Sequence, residues 1–138
     1  MNTPGSSGRV YILVAGDILV MGLVTLFGFY SHGTLASAGL RIFSTFIPLT
    51  ISWFLVAPFM GCYNPIMWGD YKQVWRPLYA VVIASPLAAW MRGFWLQTPI
   101  QPLFVLIIGA VAGLGMLAWR LVYAFLSSRS LSGEENHG

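Results

Sequence analysis

Long unbroken apolar runs alternate along this chain with short polar breaks, and the runs have the length of membrane crossings. Four stretches, at about 10–30, 42–61, 74–96 and 102–126, each reach the roughly 20 residues that a helix needs to cross ~30 Å of hydrocarbon. The breaks carry turn chemistry: SHGTLASAG, then CYNPIMWGDYK, then QTPIQ. Pro77 and Pro102 fit the opening turns of the third and fourth helices. Pro48 and Pro86 fall inside runs and predict kinks, which lipid-embedded helices tolerate when neighbours re-satisfy the freed carbonyls. The flanks 1–9 and 127–138 are small and polar and read as disordered tails. The pattern predicts one all-α domain, an integral membrane four-helix bundle with short loops.

Composition sharpens the class. Hydrophobic residues make up 57% of the chain and charged residues only 8%, against about 25% charged in a soluble domain. Too little charge is present to cover a water-facing surface. The tryptophans Trp53, Trp68, Trp75, Trp90, Trp95 and Trp119 read as interfacial or packing residues, since amphipathic rings favour the headgroup layer. Ala36-Ser37-Ala38 has the small residues of a signal-peptidase site. The preceding run, however, exceeds the usual length of about 7–15 residues and contains an acid, so the first helix is expected to be retained.

The basic residues set an expected orientation. With four crossings, both tails and the second loop share a side, and that side holds Arg9, Lys72, Arg76 and Arg129, with Arg120 close by. The other side has Arg41 and Arg92. The positive-inside rule then places both termini in the cytoplasm. No Lys/Arg cluster suggests nucleic acid as a partner. Cys62 is the only cysteine, which excludes a disulfide within the chain, and the orientation makes it a reduced thiol.

Asp17 stands out because it is a carboxylate inside an otherwise uncharged run. Such a group costs about 2.5–3.5 kcal/mol on insertion scales, so it must be paired, protonated or turned toward a polar interior. It lies about 10 Å from the start of the first helix at 1.5 Å per residue, and Arg120 reaches a similar depth from the same side on the fourth. Asp17, Met21, Val24, Gly28 and Ser31 form one stripe on the first helix; Gly109, Gly113, Met116 and Arg120 form one on the fourth. Gly109 and Gly113 make a GxxxG face that lets helices approach closely. An Asp17–Arg120 contact between the first and fourth helices satisfies both stripes. Its role stays open between a structural pin and a proton or ion site, with Asp17 paired elsewhere or protonated as further alternatives.

A second polar group is expected at the opposite end. His32 ends the first helix, Arg41 opens the second, and Arg92 lies late in the third, while Ser44, Pro48 and Ser52 share a stripe on the second. These residues line a small outward cavity on one reading, and are interfacial loop and snorkelling residues on the other. His32 is compatible with an axial pigment ligand, but single histidines at helix ends are common, so no cofactor is expected. GxSxG, HExxH, CxxC and GxxxxGK[ST] motifs are all missing from the sequence. One structured histidine, one cysteine and two carboxylates ahead of the tail are too few for metal catalysis or a nucleophilic triad, so neither enzyme chemistry nor a metal site is expected.

Several of these residues together carry a resemblance. Gly16-Asp17, Phe27-Gly28 with Ser31-His32, Pro48 then Trp53, Arg92, and Trp119-Arg120 resemble the pattern of an uncharacterised prokaryotic family of four-helix membrane proteins, the domain of unknown function 3054. The likeness spans about Asp17 to Arg120, with Leu49 where the family pattern has Phe after the proline. It implies a bacterial or archaeal cytoplasmic membrane and carries no activity with it. Two functions remain in view: a non-enzymatic accessory or structural subunit that associates with other copies or larger membrane partners, and a small homo-oligomeric proton- or cation-coupled transporter that uses Asp17.

Overall fold

The computed structural model describes residues 6–64 and 70–135; Trp68 and the outermost tail residues lie outside that range. The regular elements are α1 (Ser6–Ser31), α2 (Leu35–Ala38), α3 (Phe43–Val56), α4 (Trp75–Leu96) and α5 (Pro102–Glu135), with 3-10 turns at Gly39–Ile42 and Tyr71–Gln73. Four helical stretches are long and apolar enough to cross a bilayer: Ser7–Ser31, Leu35–Val56, Tyr71–Leu96 and Pro102–Arg129. This is the make-up of a multi-pass membrane protein.

The second crossing begins earlier than its hydrophobicity suggests and also ends earlier. Leu35–Ala38, part of a segment that reads as loop, is helical and runs through the 3-10 turn into α3. At the other end Pro58 has no amide hydrogen to continue the ladder, and α3 stops at Val56. Pro48 lies inside α3 and Pro86 inside α4. The last helix corrects the expected tail, since α5 continues past residue 126 as far as Glu135. Extending a helix that already exists adds one bond per residue without a new nucleation cost, and no proline intervenes.

α4 packs against α3 on one side and α5 on the other, and α1 closes the bundle against α5 and, less extensively, α3. The buried face of α4 is built of small side chains, Ala80, Ala84, Ser85, Ala88 and Ala89. Such residues let lipid-embedded helices approach, because packing and not hydrophobic collapse drives their association. Met21, Leu49, Trp53, Val81 and Met116 fill the centre between them. The outer surface is apolar: Tyr11, Leu23, Leu106 and Phe94 are all exposed, as lipid contact requires.

Candidate functional site

Asp17 faces inward from α1 and has no exposed surface. A buried carboxylate is tolerable only when donors replace its lost hydration, and three donors from three other parts of the chain meet one of its oxygens. Arg120 Nη2, on α5, lies 2.9 Å from Asp17 Oδ2. Trp53 Nε1, on α3, donates to the same oxygen at 3.1 Å. The Tyr63 hydroxyl, in the turn after α3, donates to it as well. The indole N–H of Trp53 is shared, since Tyr63 Oη lies 3.0 Å away. The Arg120 guanidinium sits over the Tyr63 ring at 5.5 Å, a cation–π contact.

Gly16 makes room for this arrangement. A side chain there would place its Cβ 2.1 Å from the Trp119 ring. Consecutive residues therefore meet consecutive residues: Gly16 receives Trp119, and Asp17 receives Arg120. Gly115 repeats the close approach on the other helix, where a Cβ would lie 3.0 Å from Val20.

Tyr63 reaches the carboxylate because the chain beyond α3 folds back over the bundle end. Cys62 N–H donates to the Ala57 carbonyl and Gly61 N–H to that of Pro58, with Gly61 at a φ of 72° that suits a residue without Cβ. Arg76 secures the turn from α4, its Nη1 donating to the Met60 carbonyl at 3.0 Å. Burial, and then the nearby Asp17 carboxylate, push the Tyr63 phenol above its ordinary range, so it remains a donor. Burial likewise raises the Cys62 thiol from 9.0 to about 11, leaving it a weak nucleophile.

The cluster is not fully satisfied. Asp17 Oδ1 and Arg120 Nε are buried without a hydrogen-bond partner among the described residues. Trp119 Nε1 is likewise buried without a hydrogen-bond partner among the described residues. Beside Arg120 lies a cavity of about 20 Å³, bounded by Gly61, Cys62, Asp70 and Arg76, which has room for one water.

The other sequence-predicted residues separate into two places. His32, Arg41 and Arg92 line one cavity of about 340 Å³ at the far end of the bundle. The stripe Ser44, Pro48 and Ser52 does not join them. It is buried, with Ser52 bonding Met91 Sδ at 3.5 Å and Ser44 bonding the Arg41 carbonyl. Thr45 lines the cavity instead. Gly109 and Gly113 face α4, not α1: added Cβ atoms would lie 3.1 Å from Ser85 and 3.4 Å from Leu78. Thus the fourth helix does not turn its whole stripe toward the first, which corrects the expectation that one face of it carries both the glycines and Arg120 to α1. A helix in a bundle contacts two neighbours at once, and Arg120 reaches α1 while the glycines pack on α4. Among the described residues no three His, Cys, Asp or Glu side chains gather as metal ligands.

Of the Asp17 cluster, Gly16 enters the sequence reading only through the family pattern, Trp53 through that pattern and as an interfacial or packing residue, and Tyr63 not at all. A signal for Trp53 exists, because an indole N–H buried in an apolar run needs an acceptor. Tyr63 has none. No curated protein and no solved structure matches the chain. A family model described as "Protein of unknown function (DUF3054)" matches residues 14–123, a stretch that contains Asp17, Trp53, Tyr63 and Arg120. The chain belongs to this family of unknown function.

Proposed function

We propose that this protein is a non-enzymatic accessory or structural subunit of a prokaryotic cytoplasmic membrane, with both termini in the cytoplasm and no cofactor. Its partners are the bilayer and other membrane subunits, further copies of itself included. The observation that carries this reading is the enclosure of Asp17. An acid with no exposed surface, gripped at one oxygen by α3, α5 and the turn between α3 and α4, joins α1 to those three parts of the bundle. That is the geometry of a pin that fixes helix order. The basic residues around the tails and the second loop support the orientation.

A second reading, a small homo-oligomeric proton- or cation-coupled transporter using Asp17, draws on the unpartnered Oδ1 and the water-sized cavity touching Arg120. Four helices offer little room for a translocation path, so that version requires at least a dimer. Purification in a mild detergent separates the two. The subunit reading expects the chain within a larger membrane assembly, and expects an Asp17→Asn variant to lose stability without losing a transport activity. A discrete homodimer whose ligand response depends on pH, and is abolished in a stable Asp17→Asn variant, would overturn it.

A further inference from the structure

The far-end cavity holds positive charge that no acid among the described residues neutralises. The chain has four acids: Asp17, Asp70, Glu134 and Glu135. Asp17 is paired with Arg120, Asp70 lies in the second loop, and the two glutamates close α5, so all four lie toward the end that carries the tails. Arg41 and Arg92 share the opposite end and line the same cavity. Arg92 gives its Nε to Thr45 Oγ1 at 3.1 Å and lies over the Phe104 ring at 4.8 Å. Its terminal nitrogens have no partner among the described residues. Arg41 is exposed.

The shape of the space follows from α1 and α5. They are pressed together at Gly16 and Gly115 and part beyond Val24, which opens a wedge between them. Gly28 lies on its wall, and a Cβ added there would meet nothing within 4 Å. Below the arginines the walls are mostly apolar, made by Val24, Phe104, Ile107, Ile108 and Val111, and the Thr25 hydroxyl there is spent on the Met21 carbonyl. A volume of about 340 Å³ falls in the range of small-molecule sites. Cationic at the mouth and apolar at depth, on helices that cross the bilayer, it matches a ligand with an anionic head and a hydrocarbon tail.

We infer that this wedge is a specific site for one anionic phospholipid of the surrounding leaflet, its phosphate held by Arg41 and Arg92 and the upper part of one acyl chain lying between α1 and α5. Guanidinium groups suit phosphate because their N–H donors match its oxygens in pairs, and basic pockets between membrane helices hold anionic headgroups. The apolar walls favour a lipid over a free anion, which gains nothing from them.

Native mass spectrometry of the full chain in mild detergent tests this, with phosphatidylglycerol and phosphatidylcholine of the same acyl chains offered in turn. The expected result is a single retained phosphatidylglycerol per chain. Arg41→Gln should weaken retention by about tenfold, the factor that one lost charge-assisted hydrogen bond gives. Gly28→Leu should weaken it as well, by filling the space meant for the chain, while leaving the lipid-free melting temperature unchanged or slightly raised. That second variant keeps the test sound if Arg92→Gln, which also loses the Thr45 bond, fails to fold. Equal retention of the two lipids, or several weakly held lipids unaffected by both variants, means an annular lipid only and overturns the proposal. Displacement by millimolar inorganic phosphate, with Gly28→Leu unchanged, would assign the arginines to a free anion and overturn it too.

Discussion

The two ends of this bundle treat charge in opposite ways. Near the tails an arginine and an acid meet inside the protein, and tryptophan and tyrosine donors complete the contact at one oxygen. At the far end two arginines stand at the mouth of a wedge that no acid among the described residues lines. A charge neutralised from within contributes to the bundle's own architecture. A charge left without a counterpart is complementary to something outside. The packing follows the same division: Gly16 is filled by Trp119, whereas Gly28 looks into open space.

Removing Arg120 should do the most damage. Asp17 has one methylene and no exposed surface, so Arg120→Ala leaves a buried carboxylate with no route to water. Breaking a buried pair in this way typically costs about 3–5 kcal/mol. Asp17→Ala should cost less, because Arg120 borders the small tail-end cavity and its long stem can carry the charge outward. Thermal unfolding in detergent measures the difference, and equal losses would show that both groups are equally trapped.

The two glycines sharpen the contrast. Gly16→Ala forces the Trp119 ring off α1 and should cost about 1–3 kcal/mol, the usual penalty of overpacking. Gly28→Ala meets nothing and should be neutral or stabilising by up to about 1 kcal/mol, since alanine favours the helix. Equal effects at both positions would remove the distinction between a filled and an open interhelical space. Tyr63→Phe deletes one of three donors to Asp17 and should lower stability by about 0.5–2 kcal/mol, the range of hydrogen bonds between membrane helices.

The smallest effect is on reactivity. With its thiol raised from 9.0 to about 11, Cys62 should alkylate far more slowly in the folded protein than after denaturation at pH 7–8. The sign for stability follows from linkage. The folded state holds the Cys62 proton more tightly than the unfolded state, so this contribution is complete below pH 9 and fades as pH rises toward 11. Rapid maleimide labelling of folded protein at neutral pH would show that the turn after α3 does not cover the thiol.

Depth along a helix is readable from a sequence, because the rise per residue is fixed. Counting residues from the ends of the apolar runs therefore suffices to put Asp17 and Arg120 at one level. Which neighbour a stripe faces is not readable in this way, and Gly109 and Gly113 turn to α4. Tyr63 escapes a sequence reading for a different reason. It lies beyond α3, and only the turn from Pro58 through Gly61 brings its hydroxyl to α1. The grouping of His32, Arg41 and Arg92 follows from their shared end of the helices, but the wedge depends on the divergence of α1 from α5, which no residue pattern encodes. The helical extension to Glu135 is hidden by small polar residues that suggest disorder, although an existing helix can carry them.

A double-mutant cycle at Asp17 and Arg120 tests the pin most directly. Asp17→Leu, Arg120→Met and the pair together are compared by reversible unfolding in detergent or bicelles. A structural pin predicts that the double variant recovers most of the loss of the Arg120 single change, with a coupling of about 2–3 kcal/mol between the sites. Additive losses would mean that the two groups act independently, and would contradict the claim that their contact holds α1 to α5.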